Sequence, residues 1–582
     1  MCGSKKRQLS MTDPILVRNM TNTPRLTREQ ALNAACTIVD RVEWPECLDA
    51  LEVRRGPKRR VPFRALIVGM LYYCLLYNRE NVHLSKIADE LEQLTPAQKQ
   101  RLELIGGVTK KNLWLTFDSL AKALPDNPER HDHPAVIPST GEIPACKVTC
   151  QPVPTTVDAF VNQLISASVA DIALDTGEYA IDGTAYRTHA KLLRSELAEN
   201  EVDAVDGTIN RAARRKAGQR ARHTKDPDAL AGYQTPSNGN KGTTFVGYEA
   251  HLVTTMPQDG QPSGPLLIRA FMLSSAGESK ATAGLACLEH LRRAGRATLD
   301  GNGMPHRTPV VVNTLAADRG YSALRADTWQ LPLWQDGVNQ VFDLRQDQRG
   351  LRPSPVPATI YIDGGLFSSA LPTHLRDLPK PNPLGATEAE KLRRTAAFDQ
   401  RAAYAWRPHS ARNLTNGHLR MKGPVEANRL RCPNTPRTLR KKSSLPLSTC
   451  TTKPCGCSGT ATITPDDYAR EYQWPLYGTT DWLAKYGKRT AIESVNAEVK
   501  YHRGNLSRGF TRVFTRVRNA ILIAANFAAI NYHIVRDWYF QRNSQNPWGG
   551  ESWDFGAKPR KRRTPKTTPL HMRTGRKQHT PE

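Results

Sequence analysis

The run Pro309–Leu324, PVVVNTLAADRGYSAL, constrains the fold more than any other stretch of the chain. Val310–Asn313 and Leu315–Ala317 offer nothing to solvent, and a short β-branched run of that kind predicts a buried strand. Buried strands belong to α/β sheets whose faces are covered by helices. The run stops at Asp318. A carboxylate just past the carboxyl end of a central strand stands where such sheets present their ligands. A helix over Ser322–Trp334 and a strand over Gly337–Arg345 are expected to follow.

A second β run, Glu178–His189, places Asp182 at the end of a short strand. An aspartate before glycine is by itself a turn signal, so this residue needs a partner elsewhere to mean more. Arg211–Lys225 carries seven basic residues and no acid, the pattern of a mobile, DNA-facing loop. β alternation resumes over Gly242–Thr255 and Gly264–Leu273, and Ser279–Gly295 has helical periodicity. His251 reads as a structural histidine rather than a ligand.

Tyr486–Lys500, YGKRTAIESVNAEVK, is the candidate business helix. At about 100° per residue, and with Tyr486 at zero, Arg489 falls near ~300°, Glu493 near ~340° and Lys500 near ~320°. A phenol, two cations and a carboxylate thus share one face, while Ala491, Ile492, Val495 and Val499 take another. The ordinary alternative is an exposed helix with an i,i+4 Arg–Glu pair. Glu498 is the competing acid, but it lies about 140° around the helix from Glu493.

The spacing Tyr486-x2-Arg489-x3-Glu493-x6-Lys500, together with YAIDGT, TFVGYEAHL, AADRGYS and YGTTDW, resembles the DDE transposases of bacterial insertion sequences, actinobacterial type. The resemblance covers Tyr179 to Asn531 and only loosely the first 150 residues. It implies an α/β, RNase H-like catalytic core in which Asp182, Asp318 and Glu493 are the catalytic acids. Two Mg2+ ions, with Mn2+ able to substitute, would be held by those acids. Tyr486, Arg489 and Lys500 would grip DNA phosphates. The implied partners are the element's terminal inverted repeats and target DNA, bound by a homodimer.

The domain plan follows from these positions. Residues 1–26 lack periodicity, and 27–125 read as an α-helical DNA-binding domain opened by a Thr27–Gln30 capping box. A helix-turn-helix there would put Arg64, Lys110 and Lys111 near phosphates; a plain bundle is the alternative. Residues 126–155 read as a linker, with Cys146 and Cys150 lacking a second ligand pair, and 156–345 as the first part of the core. About 175 residues separate Asp318 from Glu493, too many for one crossover, so 346–480 is read as an insertion domain. Cys432, Cys450, Cys455 and Cys457 lie in it at spacings unlike a zinc ribbon, so free thiols are expected and zinc is the alternative. Trp406 is expected in a core rather than stacked on a base. Residues 481–545 return to the core with the Glu493 helix and a long helix expected to seal it against the sheet. The basic tail, 546–582, is expected to be disordered.

A formal net charge of +27 attracts a polyanion, of which nucleic acid is the commonest; an acidic membrane surface would also fit, but no lipidation motif or basic amphipathic anchor supports it. The most apolar run, Ala65–Tyr77, is too short to span a bilayer, and no leader pattern opens the chain. Eleven cysteines, an odd number, argue for reduced thiols and a cytoplasmic location. The rival readings are an inactive or domesticated transposase that only binds DNA, a DNA-binding regulator, and a ribonuclease of the same fold.

Overall fold

The computed structural model describes residues 23–44, 48, 58–77, 80–124, 129–130, 151–152, 157–170, 172, 176–190, 225–234, 243–258, 264–354, 356–383, 385–449, 456–506 and 509–542. The basic loop, apart from Lys225, lies outside these residues, as do the tail, residues 1–22, Cys146, Cys150, Cys450 and Cys455.

Thr27 opens α1 (Arg28–Asp40) with the expected box: its hydroxyl accepts from the Gln30 amide at 3.2 Å, and Gln30 Oε1 accepts from the Thr27 amide at 3.0 Å. Helix α2 (Phe63–Leu76) is buried almost all round, as an apolar helix without a polar face must be. Helices α3 (Leu84–Glu92), α4 (Pro96–Arg101) and α5 (Lys110–Ala123) follow, and α6 (Val157–Ala167) leads into the sheet.

The protein is mixed α/β. Strands β1 (Glu178–Arg187), β2 (Leu230–Gln234), β3 (Thr243–Thr255) and β4 (Ile268–Ser275) are antiparallel neighbours, with α7 (Lys280–Ala294) next in the chain. Then come β5 (Thr314–Ala317), the single turn α8 (Arg319–Ser322), α9 (Gln330–Gln335) and β6 (Asn339–Phe342). Strand β5 pairs parallel with β1 on one side and β6 on the other. Across the sheet the order is β4-β3-β1-β5-β6, with β2 continuing the β4 edge of β3: Gly247 pairs with Arg187 on one side and with Leu230 on the other.

Three local expectations change. Strand β5 is shorter than the apolar run, because Val311 in the approach is 65% exposed while Val310 and Val312 turn inward. The helix expected over Ser322–Trp334 contracts to α9, preceded by turns. Asp182 sits inside β1 rather than at its end, since the long β3 pairs with β1 as far as Arg187.

Beyond β6, β7 (Thr359–Ile362) and β8 (Gly365–Ser368) form an antiparallel pair, followed by α10 (Glu388–Ala402), β9 (Leu419–Lys422) and β10 (Thr460–Ile463). This region is built onto the sheet edge: Val341, Phe342 and Leu344 share a core with Phe367, Phe398 and Trp482. The chain returns through α11 (Thr480–Gly487), α12 (Thr490–Ala497), a π turn over Glu498–His502 and α13 (Arg516–Gln541).

Helix α13 does more than seal the catalytic segment, whose Val495 and Val499 share its apolar core. It packs on α2, α6 and β4, sealing the amino-terminal helices onto the sheet, while α12 itself lies on β1 and β3. One apolar core therefore runs from α1 through α13 into β3 and β4. Among the described residues no helix is long and apolar enough to cross a membrane.

Candidate active site

Register places the first two acids. Ile181 of β1 pairs with Ala317 of β5 as the last rung of a parallel ladder, so the next residues, Asp182 within β1 and Asp318 just past the end of β5, are neighbours. Asp318 caps α8, its Oδ1 accepting from the Gly320 amide at 2.8 Å. Asp182 Oδ1 accepts from the Gly183 amide at 2.8 Å, and its Oδ2 accepts from Asn496 Nδ2 at 2.9 Å. Burial, then the nearby charge of Asp318, pushes the Asp182 carboxyl up to about 6, against the pull of Arg489, the Gly183 amide and Lys280. Ionising it without a counter-cation costs free energy.

The segment Tyr486–Lys500 is not one helix. Helix α11 stops at Gly487, α12 restarts at Thr490, and Lys500 lies in the π turn. The shared face survives only in part. Tyr486 stacks on Trp482 with ring centroids 4.8 Å apart and planes at 10°, and the Arg489 guanidinium lies 5.5 Å from the Tyr486 ring. Burial raises the Tyr486 phenol above its usual value, with Arg489 opposing. Burial lowers the Lys500 ammonium, with Asp182 drawing it back up. Both cations are therefore within the field of the first acid.

Glu493 stands differently. It binds Arg489 at 2.7 Å, and its side chain is 58% exposed. Asn496, one turn further along α12, is the residue that reaches Asp182. Nothing in the motif spacing singled out Asn496; its place three residues after Glu493, on the same side of a helix, was the available signal. Among the described residues no group of three or more His, Cys, Asp or Glu side chains is disposed to hold a metal ion. The structure thus brings Asp182 and Asp318 together, and leaves Glu493 neutralised by its i,i+4 arginine instead of completing a three-acid pocket. Glu498, the competing acid, is buried against Arg503 at 3.2 Å.

A hard divalent cation fits the carboxylate pair. Two adjacent oxygen donors, one held near 6 by burial and by the other's charge, are the donor chemistry Mg2+ or Mn2+ prefers. Glu493 is held away from them by Arg489 through one of its two oxygens.

The other candidates resolve plainly. Arg64 binds Asp40 through Nε at 2.8 Å and a terminal nitrogen at 2.6 Å. Lys110 and Lys111 are exposed in the first turn of α5, and His83 is held below its usual value by burial, Arg512, Lys86 and Lys110. His251 is structural: buried between the Tyr321 hydroxyl at 2.7 Å and Ser274 Oγ at 3.0 Å, it is pushed down to about 4 by burial and stays neutral. Trp406 is 2% exposed in a core. Cys432 and Cys457 are buried, with Cys457 Sγ 2.7 Å from Ser368 Oγ.

Compared with family models, with curated proteins and with solved structures, the chain gives no match.

Proposed function

We propose that the chain is a DDE transposase that cuts DNA at the ends of a mobile element and joins the freed 3′-hydroxyls to target DNA. The observation that carries this reading is the in-register pair Asp182 and Asp318 beside a cationic, phenol-bearing helical segment. The sheet, three antiparallel strands continued by two parallel ones with acids on the central pair, supports an RNase H-like core. The +27 charge supports a DNA partner.

On this reading Asp182 and Asp318 hold the divalent cation, which when bound supplies charge stabilisation at the phosphodiester being cut. Asn496 fixes Asp182 Oδ2 so that the carboxylate keeps one orientation. Arg489, Lys500 and Tyr486 receive phosphates, with Arg489 exchanging Glu493 for a phosphate and so freeing that third acid. A homodimer bridging two ends and acting in the cytoplasm completes the proposal.

The decisive experiment incubates the full-length protein with supercoiled plasmid and Mg2+ or Mn2+. Metal-dependent nicking is expected, and its absence with intact DNA binding favours a second reading. The Arg489–Glu493 ion pair supports that one, an inactive transposase that acts as a DNA-binding protein.

Two substitutions sharpen the reading. Glu493→Gln keeps DNA affinity within about threefold and lowers nicking on the order of 10²-fold or more; unchanged nicking refutes the role given to Glu493. Lys500→Ala reduces the salt dependence of DNA binding by about one unit of slope. A titration across NaCl concentrations measures it, and an unaltered slope removes Lys500 from the interface.

A further inference from the structure

The parallel ladder carries a third aspartate that the acid pair does not use. Ala317 pairs with Ile181 on one side and with Phe342 on the other. The residues that follow this row on three adjacent strands are Asp182, still within β1, and Asp318 and Asp343, just past the ends of β5 and β6. Asp343 is 7% exposed and engaged on both oxygens. Its Oδ2 accepts from Arg319 Nε at 2.9 Å, from a terminal Arg319 nitrogen and from Lys380 Nζ at 2.9 Å, while Oδ1 accepts from the Tyr477 hydroxyl at 3.0 Å.

One carboxylate thus holds two cations, leaving a surplus positive charge. The acid is hidden and the cations are not: the side chains of Arg319 and Lys380 are 51% and 34% exposed. A pair serving only to fasten β6 to α8 needs one cation. The second is delivered by the region beyond β6, where the Lys380 carbonyl is itself held by Arg394 at 2.8 Å. Arg319 directly follows Asp318, and the Tyr486 phenol lies within the field of both Asp343 and Arg319.

We infer that Arg319 and Lys380 form a phosphodiester-binding subsite beside the acid pair, with Asp343 as the residue that positions both. A guanidinium gives a planar fork and an ammonium a point charge, a combination suited to one backbone phosphate. The subsite rests on the DNA-cleavage reading above. It adds that the region between β6 and α11 contributes directly to holding the substrate.

The test compares full-length wild type with Arg319→Ala, Arg319→Lys, Lys380→Ala and Asp343→Asn. Binding of a fluorescein-labelled duplex is followed by anisotropy across NaCl concentrations, and nicking of plasmid is followed in Mg2+. Arg319→Ala and Lys380→Ala are each expected to lower the salt slope by about one and to weaken binding about tenfold near 0.1 M salt. Asp343→Asn keeps both charges and hence the slope, yet slows nicking about tenfold because the cations lose their anchor. Arg319→Lys restores the slope without restoring the nicking rate. Lys380→Gln, on a partly exposed side chain, serves as the second variant should Arg319→Ala fold poorly. If wild type nicks and both alanine variants keep its slope and rate, the subsite is wrong while the functional reading stands. If wild type neither binds nor nicks DNA, the functional reading falls and takes the subsite with it.

Discussion

Asp182→Asn is expected to abolish metal-dependent nicking while making the metal-free protein more stable at pH 7. Burial and the neighbouring Asp318 raise the Asp182 carboxyl from 3.8 to about 6, so the native state holds a proton there that the unfolded chain releases earlier. Below the unfolded value both states carry the neutral acid and the wild type bears no cost. As pH rises through about 6 the native carboxyl must ionise beside another acid, and the full cost is present above that. Two units correspond to about 3 kcal/mol. Asparagine never pays it.

The variant should therefore melt higher than wild type at pH 7, and the gap should close as pH falls towards 4. Mg2+ at about a thousandfold excess over Kd reverses the ranking, because a ligand bound only by the native wild type then stabilises it by about 4 kcal/mol. Nicking should fall on the order of 10³-fold. Thermal melts at several pH values, with and without Mg2+, check all of this. A variant less stable than wild type at pH 7 without metal would mean that Asp182 is a structural residue and not a cation ligand.

The same acid shows what a sequence can and cannot disclose. Features set by neighbours along the chain were legible: the Thr27–Gln30 box, α7 begun by Ser279, and the buried strand before Asp318. Motif resemblance named Asp182 and Asp318, and the ladder puts them side by side. What escaped depends on contacts between distant segments. The interruption at Lys488–Arg489 is invisible to a 100° wheel, which assumes a continuous helix. Asn496 matters only because α12 lies across β1, and Asp343 only because β6 stops level with β5. The core shared by the amino-terminal helices and the sheet was missed for a like reason: α13 makes the connection from the far end of the chain.

That connection has a buried ion pair at one end. Asp158→Ala is expected to cost about 3–5 kcal/mol of stability. Arg516, the first residue of α13, meets both Asp158 oxygens at 3.0 Å and donates to the Leu273 carbonyl of β4 at 2.8 Å. The two side chains are 10% and 5% exposed. The α13 backbone is held at the same corner, where the Arg516 amide donates to Asp228 and the Thr515 amide to Asp226, at 2.9 and 3.0 Å. Removing the Asp158 carboxylate leaves a buried guanidinium without its counter-charge, in a place water cannot reach freely.

Breaking and replacing the pair should differ. The double substitution Asp158→Leu, Arg516→Met removes both charges at once and should cost much less than Asp158→Ala, because no uncompensated ion remains. Urea unfolding of the three proteins, with midpoints and slopes compared, tests the contrast. A loss below about 1 kcal/mol for Asp158→Ala would show the pair behaving like an exposed one. A double variant as unstable as the single one would show instead that the hydrogen bond to Leu273 and the packing of the arginine stem, rather than charge balance, fasten α13 to the sheet.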